Sequence, residues 1–174
     1  MKWESFSEVA FYSMKGVLPL WKDASTDTVR AMTRILYDLV FSCGKPNKTG
    51  YMSSAAMSAQ RSKNKTCSDH CLSPQFVARM VYDNPDIWLE DFEKFKSLFY
   101  DCCLTILVTS KENNELSKLT RNKDGVFTVS VPTHKKYEHL GIQLFHKDKG
   151  YVDNVLEGLV PKELVEYEKQ YLVS

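Results

Sequence analysis

A strand-to-helix transition is encoded in residues 104–116, whose sequence is LTILVTSKENNEL. Residues 104–108 are apolar or β-branched, which is typical of a buried strand. Thr109 and Glu112 then have the spacing of a capping box, in which two side chains satisfy backbone N–H groups at the helix start. The sequence therefore predicts a strand that ends before Thr109 and a helix that continues from there to Leu119.

A second candidate strand, residues 65–70 with the sequence KTCSDH, ends in Asp69 and His70. Neighbouring side chains of a strand point to opposite faces, so the pair can serve one site only where the strand ends and the backbone turns. A carboxylate is a hard oxygen ligand for Mg²⁺, and an imidazole accepts a proton from water near neutral pH. Although such a dipeptide is usually a solvated turn, this one is a candidate metal-assisted hydrolytic site.

Helical patterns surround the two strands. Between them, apolar residues recur every three to four positions over residues 74–83 and again over residues 86–99, which predicts two helices. We therefore expect an α+β fold, mostly helical, with a helical insertion between the two strands of its core. Its expected segments are an N-terminal helical segment at 1–44, a basic loop or arm at 45–65, the core at 66–120 and a C-terminal α/β extension at 121–174.

Composition restricts the class of protein. The chain has 174 residues, of which 43% are hydrophobic, which is enough to bury a core and excludes disordered or collagen-like classes. The longest apolar run, residues 104–108, is too short to span a membrane, and Glu4 and Glu8 do not fit a signal peptide. Five cysteines, two of them adjacent, favour a reducing compartment. We expect a cytoplasmic protein without a membrane partner.

The balanced charge of the whole chain, 23 Lys and Arg against 22 Asp and Glu, hides a basic segment. No acid occurs between Asp38 and Asp69. This interval contains five basic residues, Lys45, Lys48, Arg61, Lys63 and Lys65. Cations in such a segment can neutralise DNA phosphates, so these five are candidate DNA contacts. A second basic patch, at residues 134–137, is interpreted as ordinary surface.

The residues around both strands resemble the HNH (His-Me finger) nucleases, and more narrowly the homing endonucleases of bacteriophages. In that family a strand ends in Asp-His, a second strand follows, and a helix presents a His or Asn to a metal. Asp69 and His70 match the first element, and residues 109–116 match the Thr-x-x-Glu-His/Asn-x-x-Leu opening of the helix. The resemblance covers residues 66–119 and implies a ββα-metal motif.

The resemblance also implies a role for each matched residue. His70 would be the general base that activates water, and Asp69 and Asn113 would hold one divalent ion, Mg²⁺ or Mn²⁺. Helix spacing independently favours Asn113 over Asn114, because Asn113 lies three residues before the apolar Leu116. The implied activity is phosphodiester hydrolysis in double-stranded DNA, in the cytoplasm of a bacterial host if the protein is encoded by a phage.

Three alternatives stay open. A non-catalytic DNA-binding or phage accessory protein would keep the same fold without turnover. Structural zinc is disfavoured, because Cys67, Cys71 and the adjacent pair at residues 102–103 lack the usual Cys-x-x-Cys spacing. A nuclease of the Pro-Asp…(Asp/Glu)-x-Lys type is also disfavoured, since no lysine of the chain has an acid two residues before it.

Overall fold

A computed structural model describes residues 3–43, 47–62, 65–123 and 126–172. In chain order its helices and strands are α1 (Trp3–Val17), α2 (Thr26–Ser42), β1 (Asn47–Ser53), α3 (Ser54–Arg61), β2 (Thr66–His70), α4 (Pro74–Asp83), α5 (Pro85–Trp88), α6 (Phe92–Cys102), β3 (Leu104–Thr109), α7 (Ser110–Leu116), β4 (Thr120–Lys123), β5 (Val126–Val129), α8 (Lys136–His139), β6 (Leu144–His146), β7 (Gly150–Val152) and α9 (Lys162–Glu168). Helices and strands occur in one chain, so the fold is α+β as predicted.

The chain divides into two compact units. One unit comprises Met1–Pro46 and Leu72–Cys103, and the other comprises Asn47–Cys71 and Leu104–Ser174. The first contains α1, α2 and α4–α6, whereas every strand named above belongs to the second. These units cut across the four segments expected from the sequence, because the helices inserted between β2 and β3 group with the N-terminal helices.

The helical unit is built from amphipathic helices that pack through their apolar faces. Helix α2 packs against α4, and α1 packs against both α2 and α6. Phe11 of α1 meets Phe92 and Phe95 of α6 edge-on, with ring centroids 5.3 and 5.4 Å apart, which is a favoured geometry for aromatic pairs. Among the described residues, no helix is both long and apolar enough to cross a membrane.

The second unit contains a mixed five-stranded sheet with the strand order β2-β3-β1-β6-β7. Strands β1 and β3 are parallel, and the other neighbouring pairs are antiparallel. Strands β4 and β5 form a separate antiparallel pair. Ile106 and Val108 of β3 are fully buried, and both hydrogen bonds of the capping box between Thr109 and Glu112 start α7. The strand-to-helix transition predicted at this point is confirmed.

The expectation of a basic loop or arm at residues 45–65 is wrong, because this segment contains β1 and α3. Strand β1 lies inside the sheet between β3 and β6. The fully buried Ser53 caps α3 by accepting a hydrogen bond from the Ala56 backbone N–H at 2.9 Å. Ala56 and Ala59 are also buried. Small side chains thus allow close packing here, although the sequence shows neither a strand nor a helix period.

Candidate active site

Asp69 and His70 are the last two residues of β2, which ends where the sequence predicts. Across the antiparallel pair, Asp69 lies opposite Ile106 and His70 lies opposite Thr105. Because successive side chains alternate, those of Asp69 and His70 leave opposite faces of the sheet. The two faces at this strand end therefore have different chemical surroundings.

The Asp69 carboxylate binds two side chains from α8. The Lys136 ammonium lies 2.7 Å from Asp69 Oδ2, and the Tyr137 hydroxyl donates to the same oxygen at 2.5 Å. Lys136 also donates to the His70 backbone carbonyl at 2.7 Å. The side chains of Asp69 and Lys136 are only 14% and 12% exposed, so one nearly buried ammonium fixes both residues at the end of β2.

Tyr137 contributes a neutral hydrogen-bond donor to this cluster. The residue is 4% exposed, and burial raises the pKa of its phenol well above the ordinary value. The negative charge of Asp69 is the next largest cause and acts in the same direction. Tyr137 therefore stays protonated near neutral pH and donates to Asp69 rather than competing with it as an anion.

A second carboxylate, that of Glu168 in α9, is bound by Thr133, three residues before Lys136. Glu168 is 1% exposed and accepts hydrogen bonds from the Thr133 backbone N–H, at 2.9 Å, and from the Thr133 hydroxyl. Burial raises the pKa of Glu168, while the bonds from Thr133 and the charge of Lys136 oppose the rise. The segment that leads into α8 is thus joined to α9 through Thr133.

Helix α7 is held in place by one carboxylate oxygen. Glu112 Oε2 accepts from the Thr109 backbone N–H at 2.8 Å, from the Thr109 hydroxyl at 2.9 Å and from the Ser53 hydroxyl at 2.7 Å. The helix packs against both β2 and β3. In its second turn Asn113 is half-buried and Asn114 is exposed, in agreement with the helix-spacing argument.

Cys67 lies two residues before Asp69 and shares its face of β2. Burial raises the pKa of the Cys67 thiol, a hydrogen bond with Ser110 opposes this, and the charges of Asp69 and Glu112 add to the rise. The thiol therefore stays protonated near neutral pH.

The oxygen donors on this face are compatible with a hard divalent cation. Both bonds to the Asp69 carboxylate go to Oδ2, which leaves Oδ1 for a further ligand, and a metal-binding carboxylate is commonly held through its other oxygen. Within the described part of the chain, no three His, Cys, Asp or Glu side chains are grouped so as to hold a metal. A divalent ion at Asp69 would therefore need water or substrate oxygens for most of its ligands.

On the opposite face, the structure brings His70 and Lys48 into one row. Thr105 of β3 pairs with His70 on one side and with Lys48 of β1 on the other. The three residues consequently share a face, and two strand spacings put His70 and Lys48 roughly 10 Å apart. Thr105 is buried and Lys48 is exposed, so a solvent-exposed lysine shares the face of the candidate general base.

Two other candidate DNA contacts belong to the described residues. Arg61 ends α3 and Lys65 precedes β2, and both are exposed. Lys65 is at the far end of β2 from His70, roughly 17 Å away along the strand. Lys45 and Lys63 lie outside the described residues. Of the basic segment, only Lys48 is thus shown to be near His70.

The interpretation of residues 134–137 as ordinary surface is wrong for Lys136 and Tyr137, whose side chains are largely buried against Asp69. Lys135, between His134 and Lys136, is exposed as expected. No local pattern indicates the difference, because Lys136 is 67 residues from Asp69. A contact of this kind depends on how the chain folds, and the spacing of residues in the sequence does not reveal it.

Comparison with protein-family models, with curated proteins and with solved structures finds no match to this chain.

Proposed function

We propose that the chain is a metal-dependent DNA endonuclease of the HNH type, whose ββα-metal motif consists of β2, β3 and α7. The observation that supports this best is the position of Asp69 and His70 as the last two residues of a strand paired with β3 and packed against α7. Their side chains leave opposite faces of the sheet, so the proposal requires the backbone turn after the strand end to bring both to one site. The helices α4–α6 are an insertion between the two strands of this motif.

In this proposal His70 is the general base. An imidazole can accept a proton from water near neutral pH, because the ordinary pKa of this group lies close to that range. Asp69 and Asn113 would hold one divalent ion, Mg²⁺ or Mn²⁺, which would supply charge stabilisation at the scissile phosphate and at the leaving 3′ oxygen. Lys136 and Tyr137 orient the carboxylate of Asp69 through Oδ2.

Double-stranded DNA is the proposed partner, and the basic segment is its electrostatic contact. Lys45, Lys48, Arg61, Lys63 and Lys65 neutralise phosphates and so position the duplex without reading its sequence. The exposed Lys48 shares the face of His70, so it binds a phosphate near the reacting one. The corresponding location is the cytoplasm, that of a bacterial host for a phage protein.

A second candidate function is a non-catalytic DNA-binding or phage accessory protein with this fold. The observation that favours it is the ion pair between Lys136 and Asp69, since the candidate metal ligand already carries a compensating positive charge. Both functions predict DNA binding, and only the first predicts hydrolysis.

Cleavage of a random-sequence duplex library, read by sequencing of the new ends, separates the two functions. We expect the parent protein to cut with Mg²⁺ or Mn²⁺ and not with EDTA. His70→Ala should lose cleavage by at least about 100-fold while it still binds DNA, as removal of a general base does. His139→Ala, at an exposed histidine outside the site, is the matched control and should cut like the parent.

If the parent binds DNA in a salt-dependent way but cuts it under none of these conditions, the non-catalytic function is correct and the endonuclease is not. Equal cleavage by His70→Ala and the parent would show that another residue activates water.

A further inference from the structure

The ammonium of Lys136 lies against the carboxylate that the proposed divalent ion would bind. Its Nζ lies 2.7 Å from Asp69 Oδ2 and 2.7 Å from the His70 carbonyl. Both charged side chains are largely withdrawn from water, where the attraction between them is stronger than at the surface. The carboxylate is thus neutralised by the protein itself.

A divalent ion that binds Asp69 must therefore approach a positive charge. Repulsion between a lysine ammonium and a divalent cation a few ångströms apart is substantial even at a dielectric near that of the protein surface.

We propose that Lys136 is a built-in counter-cation of Asp69 that competes with the divalent metal for this carboxylate. The inference rests on the proposed function, which identifies Asp69 as part of a metal site. It adds that Lys136 sets the affinity of this site for the divalent ion. Lys136 is a positioning residue: it holds Asp69 and the end of β2 in place while the metal is absent and weakens metal binding while it stays there. The consequence is a site with low affinity for Mg²⁺ in the absence of DNA.

Binding of Mn²⁺ alone, without DNA, tests the competition. Free Mn²⁺ is measured by electron paramagnetic resonance during titration of the full-length protein. Lys136→Met removes the charge, and Lys136→Gln removes the charge but keeps a hydrogen-bond donor, so one variant remains if the other fails to fold. Lys136→Arg keeps the charge. Lys135→Met is the matched control, because this neighbouring lysine is half exposed and pairs with Glu138 at 3.8 Å.

We expect Lys136→Met and Lys136→Gln to bind Mn²⁺ about tenfold more tightly than the parent, because removal of one positive charge near the ion removes the repulsion. Lys136→Arg and Lys135→Met should stay within about twofold of the parent. Asp69→Asn combined with Lys136→Met should abolish the gain, which assigns the ion to Asp69. If Lys136 had only a structural role, its replacement would lower the affinity for Mn²⁺ or leave it unchanged.

Unchanged or weaker binding in both neutral variants would overturn the inference, and so would tight binding that survives Asp69→Asn. These outcomes are independent of the cleavage assay. If the parent cuts DNA but the neutral Lys136 variants bind Mn²⁺ no more tightly, only the competition is contradicted. If these variants bind Mn²⁺ more tightly but the parent does not cut, only the nuclease function is contradicted.

Discussion

Lys136 and Asp69, 67 residues apart in sequence, form a 2.7 Å ion pair from which solvent is largely excluded. Removal of one partner from such a pair leaves an uncompensated charge in a poorly solvated place, which costs several kcal/mol when burial is complete. A pair with the same 2.7 Å separation, Lys169 and Glu166, has side chains 60% and 69% exposed. The two pairs therefore separate the effect of burial from that of distance.

We expect Lys136→Met to lower the free energy of unfolding by about 2 kcal/mol, because Asp69 loses its counter-ion in a nearly buried position. Lys169→Met should change it by less than about 0.5 kcal/mol, since exposed pairs contribute little. Urea denaturation followed by circular dichroism measures both values. Equal losses in the two variants would contradict the assignment of a special role to the pair at Asp69.

The Glu112 carboxylate should be the most sensitive position of α7. Glu112→Ala deprives the Thr109 backbone N–H and the Ser53 hydroxyl of their acceptor, and we expect a loss of about 2 kcal/mol in the free energy of unfolding. Glu115→Ala in the same helix breaks only an exposed pair with Lys118 and should cost less than about 0.5 kcal/mol. Thermal unfolding of the two variants side by side provides the comparison.

Gly50 occupies a backbone conformation that other residues rarely adopt, with φ at +84° in β1. A Cβ at this position would lie 2.7 Å from His146 Nε2, so Gly50→Ala should lower the free energy of unfolding by about 1–2 kcal/mol. Gly16→Ala is the matched control, because Gly16 lies in α1 with no atom within 4 Å of a new Cβ. That substitution should be neutral or stabilise by about 0.5 kcal/mol.

Adding His146→Ala to Gly50→Ala separates crowding from backbone strain. The double variant should recover only part of the loss, because the positive φ persists after the imidazole has been removed. Full recovery in urea denaturation would show that the contact with His146 is the whole cause.

Asp101 should make the protein less stable as the pH rises, whereas most carboxylates of folded proteins have the opposite effect. Burial raises the pKa of Asp101 from 3.8 to about 6, so the folded state binds this proton more tightly than the unfolded state does. Its contribution is therefore fully present below about pH 4 and is lost as the pH rises through about 6. A carboxylate in the last turn of α6 also opposes the helix dipole.

Asp101→Asn should consequently stabilise the protein at about pH 7.5 and have little effect near pH 4. We expect a gain of about 1 kcal/mol, well below the value that the full pKa shift would imply, because the side chain is only partly buried and water screens its charge. Urea denaturation of the variant and the parent across this pH range tests the sign. A gain that is constant with pH would exclude ionisation of Asp101 as its cause.

The basic segment should determine the salt dependence of DNA binding. Each of Lys48→Ala, Arg61→Ala and Lys65→Ala should reduce the slope of log K against log [salt] by about 1, as loss of one phosphate contact does. Lys22→Ala, an exposed lysine outside this segment, should leave the slope unchanged. Fluorescence anisotropy with a labelled duplex measures the slopes. An unchanged slope in all three variants would show that these residues do not contact DNA phosphates.

Features that depend on near neighbours in the chain could be predicted. The capping box between Thr109 and Glu112 forms as its spacing indicates. Strand β2 ends at His70, and Asn113 faces inward more than Asn114 does. In each case the deciding contact lies within a few residues, so the local pattern contains the necessary information.

Features that depend on distant segments could not be predicted. Residues 47–61 form an inner strand and a helix because β3 and β6 provide hydrogen-bond partners on both sides of β1, whereas the segment itself shows little periodicity. Lys136 and Tyr137 look like part of a surface patch until the fold brings α8 to Asp69.

The sequence by itself determined an α+β chain with a capped helix after β3, an Asp-His pair at the end of β2 and a basic segment that leads into it. Only the tertiary structure decided the surroundings of that pair. It put Lys48 on the face of His70 and the ammonium of Lys136 on the carboxylate of Asp69. The physical reason is that charge at a site acts through space, and the residues that supply it here come from segments with no local sequence relationship to β2.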